Sequence, residues 1–252
     1  MLTERLLDNF FSEIRQSTAR SMKECEAQLL AFYDTLILRT TLLQDSRREM
    51  NSYLALDFNL FSYIDPDEGR LSDLIAELLS VEAEHGQRDA FLRCFMEQIG
   101  VAHWLANGQT TVRREVPITY PPASYGFMDI LIDGGSFAIG IENKPWASEQ
   151  PDQLDRYRTH LDHEYSGRYC LVYLTGSGMQ PTSLPAEIRR KLSAANRFGV
   201  LSYRSGLTKW IRACEKECKA EKIRWLLRDF DAFLSSTFAS DDYGVGHAPG
   251  GN

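Results

Sequence analysis

In "IGIENKPWA", residues 139–147, Glu142 and Lys144 sit one residue apart in a run that otherwise reads as a buried strand. Apolar surroundings penalise an unpaired charge, so two opposite charges at that place need a partner or a task. A third charge stands upstream: twelve residues separate Asp129 from Glu142, and Asp129 lies in a second strand-like run, "FMDILI". Between the two runs is "DGGS", residues 133–136, a hairpin signal of the Asp-Gly kind. Folding back on that turn brings Asp129 beside Glu142, while strand alternation puts Glu142 and Lys144 on one face. Two carboxylates held together among apolar side chains repel each other and resist ionisation unless a divalent cation or the Lys144 ammonium compensates. Mg2+ prefers a few hard carboxylate oxygens and keeps several waters, one of which can attack a phosphodiester. The chemistry these residue types allow is therefore metal-assisted phosphodiester hydrolysis with a lysine at hand.

Other polar groups have weaker claims. In "IDPDEG" the pattern predicts a capping box, with Asp65 as cap, Pro66 at the first helical position and Glu68 at the third, which accounts for Glu68 without a metal. Gln153 and Tyr157 lie four apart on one face of a helix, where a packed or hydrogen-bonded pair is an adequate account. His160 and His163 are read as part of a solvated helix face, and His85, in "EHGQ", has no chemical role to assign. "TGSG", residues 175–178, lacks the lysine of a phosphate-binding loop and reads as a turn. Arg189, Arg190 and Lys191, followed by Arg197 and Arg204, form the densest basic stretch, suited equally to a phosphate backbone or to solvent.

The elements that must position these groups follow from periodicity. Residues 2–43 carry helix-spaced apolar side chains (Leu6, Leu7, Phe10, Ile14, then Leu29, Leu30, Phe32, Tyr33, Leu36) with no glycine or proline, predicting one or two long helices that pack on the core or form a dimer seam. A helix after Pro66 and another over 89–99 precede three strands, at 112–118, 127–132 and 137–142. Then come a helix through Leu154, Tyr157 and Leu161, the strand "RYCLVYLT", a helix over 184–195, a short strand over 199–203, and closing helices at 207–218 and 221–235. The glycine-rich end, "SDDYGVGHAPGGN", is expected to be disordered.

Asp129 and Glu142-Asn143-Lys144, set in a helix, three-strand, helix, strand order, resemble the PD-(D/E)XK nuclease superfamily. "EGRLSDLIAELLSVEAEHGQRDAFLRCF" and "GIENKPWASEQPDQLDRY" are similar to one bacterial branch of stand-alone nuclease domains in it, over residues 58–235. Met128 stands where the motif has its proline. The resemblance implies an α/β, restriction-endonuclease-like core: a mixed sheet flanked by helices, with an N-terminal helical extension (1–45), a nuclease-like domain (46–237) and a tail (238–252). It implies a nuclease acting on DNA with Mg2+, or Mn2+ in its place. Asp129, Glu142, the backbone carbonyl of Asn143 and Glu68 would hold the metal, and Lys144 would be the catalytic lysine. Gln153 and Tyr157 match the QxxxY of RecB-like exonuclease branches and would steady Lys144 or the substrate. The competing readings are a catalytically silent nuclease fold serving assembly, which loss of a carboxylate or the lysine would mark, and a phosphohydrolase of small nucleotides.

Bulk properties set limits. The 252 residues carry a net charge of −7, which argues against coating nucleic acid through an overall positive field. Five scattered cysteines read as reduced thiols. No stretch is apolar enough for a membrane helix, and Glu4 and Asp8 do not suit a signal peptide, so a cytoplasmic location is expected, with no membrane partner and a possible homodimer through the N-terminal helices.

Overall fold

The computed structural model describes residues 2–105, 109–122, 125–146 and 149–239, and divides into two compact units, 1–58 and 59–252. The first unit is a single helix, α1 (Leu2–Leu54), longer and less interrupted than the periodicity over 2–43 indicates. Its threonines at 18, 35, 40 and 41 turn their hydroxyls back onto carbonyls four residues earlier, so they fit the helix rather than break it.

In the second unit a short helix, α2 (Phe61–Ile64), precedes α3 (Glu68–Leu79) and α4 (Ala90–Gln98). Strands β1 (Thr111–Pro117), β2 (Phe127–Asp133) and β3 (Ala138–Lys144) form an antiparallel meander. The turn between β2 and β3 is held by Asp133 Oδ1, which accepts from Gly135 N–H at 2.8 Å, with Gly135 at φ +72°. Helix α5 (Gln153–Tyr165) crosses over to β4 (Tyr169–Thr175), which lies parallel to β3; α6 (Ala186–Ala194) leads to β5 (Phe198–Ser202), parallel to β4. A π-helical turn at Tyr203–Leu207 opens α7 (Thr208–Glu217), and α8 (Glu221–Thr237) follows. The sheet order is 1-2-3-4-5.

Two apolar layers cover this sheet. Ile130, Ile132, Ile139, Ile141, Val172 and Leu174 pack against α3, α4, α7 and α8, while Leu131, Ala138, Leu171 and Tyr173 pack against α5 and α6. Every residue of β4 is buried, as its unbroken apolar run demands of a strand covered on both faces. The mixed five-stranded sheet flanked by helices is the restriction-endonuclease-like fold expected. No described helix is long and apolar enough to cross a membrane. The tail expected to be disordered lies outside the described residues from 240 onward.

The start of α3 differs from expectation. Asp65 is not its cap: it ends α2 in the left-handed region, and Asp67 caps α3, its side chain accepting from Arg70 N–H at 2.8 Å. Glu68 is consequently the first helical residue, so no capping box claims its carboxylate.

Candidate active site

Three elements converge where β3 ends. Asp129 sits near the start of β2, Glu142 and Lys144 close β3, and Glu68 opens α3. The β2–β3 pairing runs to Ile130 opposite Ile141, and one further step of that register sets Asp129 opposite Glu142. There the ladder gives way to a side chain: Asp129 Oδ2 accepts from the backbone N–H of Asn143 at 2.7 Å. Arg114 on β1 fixes the main chain behind it, donating to the carbonyl of Asp129 at 2.9 Å and that of Gly69 on α3 at 3.1 Å, and pairing with Asp73.

Glu142 has no exposed surface. Its Oε1 accepts from Gln153 Nε2 at 2.6 Å and lies 3.0 Å from Lys144 Nζ. Its Oε2 is buried without a hydrogen-bond partner. Burial, with the like charge of Asp129 beside it, pushes this carboxyl up to about 8 although Lys144 opposes the shift. Lys144 Nζ donates to Glu68 Oε1 at 2.7 Å and approaches the Asn143 carbonyl at 3.4 Å. Burial works against its charge, but Glu142, Glu68 and Asp129 outweigh it and hold the amine above its ordinary value, so it stays an ammonium.

Behind Glu142 runs a chain of hydrogen bonds. Gln153 Oε1 accepts from Gln150 N–H at 3.1 Å, which aims its amide nitrogen at both Glu142 and the hydroxyl of Tyr157, 2.9 Å away. Tyr157 in turn donates to the Phe127 carbonyl at 2.6 Å. Burial and the charges of Glu142 and Asp129 keep that phenol protonated, as a donor must be. Helix α5 comes this close because β3 has Gly140 beneath it: a Cβ there would meet Met128 Sδ at 2.5 Å and Leu161 Cδ1 at 3.0 Å. Gln153 is thus hydrogen-bonded to Glu142 and Tyr157 to Gln153.

The donor set fits a hard divalent cation. A fully buried carboxylate oxygen without a donor is costly, and Glu142 lies close enough to Asp129 to feel its charge; carboxylate and backbone carbonyl oxygens are the ligands Mg2+ takes. Among the described residues no three His, Cys, Asp or Glu side chains already form a ligand cluster, and Glu68 is turned to Lys144.

The model of the PD-(D/E)XK nuclease superfamily matches residues 58–231. The chain belongs to that superfamily. No curated protein and no solved structure matches it. Nucleases of the PD-(D/E)XK superfamily are phosphodiesterases that act on nucleic acid and generally use divalent metals.

The remaining candidates have structural explanations. His85 is buried, packs tilted against the Phe91 ring, accepts from Gln87 N–H at 3.0 Å and bonds the Ser80 carbonyl at 3.0 Å. His160, expected on a solvated face, is buried, and burial lowers its basicity; His163 stacks on Tyr120. Of the basic stretch, Arg189 holds the Pro181 carbonyl, Arg197 pairs with Asp162 over the Tyr169 ring, and Lys191 pairs with Glu187. Sequence reading missed Ser72, Tyr203, Arg114 and the side chain of Asn143. For Ser72 and Asn143 a signal existed: a serine four residues after Glu68 on one helix face, and an amide inside an apolar strand.

Proposed function

We propose that this protein is a metal-dependent nuclease that hydrolyses phosphodiester bonds in DNA, with Mg2+ as cofactor and Mn2+ as a substitute. The observation that carries this reading is Glu142: one oxygen is held by Gln153 and Lys144, the other is buried and unpartnered, and the carboxylate feels the charge of Asp129. Asp129, Glu142 and the Asn143 carbonyl would hold the metal, with Glu68 reaching it through water. Bound there, the cation would lower the pKa of a water and neutralise charge on the phosphate. Lys144, kept charged by three carboxylates, orients the attacking water and stabilises charge building on the phosphoryl oxygens. Gln153 and Tyr157 keep the Glu142 carboxylate from rotating. Retention of all three carboxylates and the lysine favours an enzyme over a silent assembly fold.

The test is a gel assay with plasmid, linear duplex, single-stranded DNA and RNA, each with Mg2+, Mn2+ or EDTA. Cleavage of a DNA substrate that EDTA abolishes is expected. Cleavage of RNA alone would refute the choice of DNA, and no metal-dependent cleavage of any polymer would refute the nuclease.

We also propose that α1 pairs with a second copy of this chain. Leu29, Leu30, Phe32, Tyr33, Leu36, Ile37, Leu38, Leu42, Leu43 and Met50 are all between 46% and 72% exposed. They point to several sides of the helix, but Leu29, Tyr33, Leu36 and Leu43 fall within one stripe of it, the face a second copy would cover. Light scattering should give twice the chain mass; a monomer at micromolar concentration would overturn the pairing.

A further inference from the structure

Residue 143 contributes to the site with its main chain and to the scaffold with its side chain. Its N–H holds Asp129 and its carbonyl faces Lys144, while its amide side chain points to the other side of the sheet and has no exposed surface. There Oδ1 accepts from the hydroxyl of Tyr203 at 2.7 Å. Nδ2 donates to Ser72 Oγ at 2.7 Å and approaches the Glu68 carbonyl at 3.4 Å. Ser72 Oγ donates to that same carbonyl at 2.9 Å. The bonds close a ring: the main chain of Glu68 is tied to the side chain of Asn143, and the side chain of Glu68 is tied to Lys144, the next residue along β3.

A merely structural core would fill this place with apolar groups, since buried polar atoms stabilise a fold only when every one is satisfied. Here Asn143 uses its amide oxygen and nitrogen, and Tyr203 is fully buried, packed on Phe238 at 4.6 Å between ring centroids. Tyr203 also starts the π-helical turn, a local departure from helix geometry that re-aims side chains and is frequent at functional sites. What this arrangement specifies is the offset between the first turn of α3 and the end of β3. Glu68 needs that specification most, because it is the first residue of its helix, is partly exposed, and reaches the site from a separate layer.

We infer that Asn143, Ser72 and Tyr203 form a positioning relay that sets Glu68 against Lys144 and the paired carboxylates, so that α3 delivers its carboxylate to the metal site. The inference rests on the nuclease reading above. None of the three side chains touches the reacting atoms; each acts through Glu68.

The test is a double-mutant cycle in the full-length chain, with Mn2+ alone as probe. Tyr203→Phe and Ser72→Ala each remove one hydroxyl; two variants are used so that a folding failure in one leaves the other. Each is combined with Glu68→Gln, and Mn2+ affinity is measured by calorimetry after a thermal melt confirms folding. Groups that orient metal ligands alter metal affinity by about tenfold or more. A loss of that size is therefore expected in the wild-type background, shrinking to under about twofold once Glu68 no longer has a carboxylate to place. Where cleavage is measurable, kcat should fall with KM unchanged. Equal losses in both backgrounds, or none in either, would overturn the relay while leaving the metal site standing. Absence of Mn2+ binding by the wild-type chain would overturn the metal reading and the relay with it.

Discussion

Leu36 in α1 and Leu171 in β4 are the same residue type in opposite settings: 46% of the first is exposed and none of the second. Strand β4 hides its side chains because helices lie on both faces of the sheet, and its backbone needs strands β3 and β5 to satisfy it. Helix α1 satisfies its own backbone within itself, so it can be a regular element while side chains such as Leu29, Leu36 and Leu43 remain exposed. The difference teaches that an apolar pattern establishes the kind of element, whereas burial depends on what covers it. It also separates two proposals: the residues assigned to the nuclease site all lie in the unit 59–252, and the pairing surface lies on α1.

If chemistry lies wholly in the second unit, the largest effect should come from Lys144. Removing an ammonium aimed at the developing charge should cost on the order of a hundredfold or more in rate. Lys144→Ala leaves Asp129 and Glu142 in place, so metal affinity should hold or rise as a repelling neighbour disappears. Glu142→Ala should lose both cleavage and metal. Calorimetry and cleavage rates measured on both variants decide it, and wild-type cleavage by Lys144→Ala would make the lysine a structural partner of Glu68. Somewhat smaller is the stabilisation the metal brings by binding only the folded state. Mg2+ should raise the melting temperature of the wild-type protein and not of Asp129→Ala; an equal rise in both would put the metal elsewhere.

The pH dependence of stability separates the units as well. Glu142 stands at about 8 in the folded protein, above its ordinary value near 4.3. The folded state therefore holds this proton more tightly than the unfolded chain does. Its contribution is complete below about pH 4, declines as pH rises, and has gone above about pH 8. Metal-free protein should accordingly melt at falling temperatures between those limits, Glu142→Gln should flatten that slope, and Mg2+ should restore stability at the alkaline end, where the carboxylate is ionised. A Glu142→Gln profile parallel to the wild-type one from pH 5 to 8 would sink this assignment.

The chain order of elements through β4, the mixed sheet and the hairpin joining β2 to β3 were legible because two-residue alternation and an Asp-Gly turn are local signals. The relay was not, since Tyr203 reaches Asn143 from 60 residues away and Ser72 from 71. No local period encodes such a meeting. Asp65 misled for a related reason: Asp65 and Asp67 are equally good caps on paper, and the choice is made by α2 ending at Asp65 in a left-handed turn. His160 looked solvated from its charged neighbours, yet the face of α5 that meets the sheet includes it with Leu154, Tyr157 and Leu161.

The smallest effect on chemistry should come from α1, and it sharpens the comparison from the other side. Leu29, Leu36 and Leu43 recur every seven residues and are 53%, 46% and 72% exposed, so they lie near one stripe of the helix. Replacing all three with glutamate costs little in an isolated helix, because glutamate is a strong helix former and no core packing is lost there. In a paired helix it buries three charges per chain at the seam, which a marginal association cannot absorb. Light scattering should therefore show the mass falling from two chains to one. Cleavage of a short oligonucleotide per site should stay within about twofold of wild type, since the described partners of Glu142 and Lys144 all lie within 59–252. A wild-type mass for the triple variant would remove the seam from this stripe. A large loss of cleavage with the fold intact would instead show that assembly through α1 completes the site, and the separation of chemistry from surface would fail.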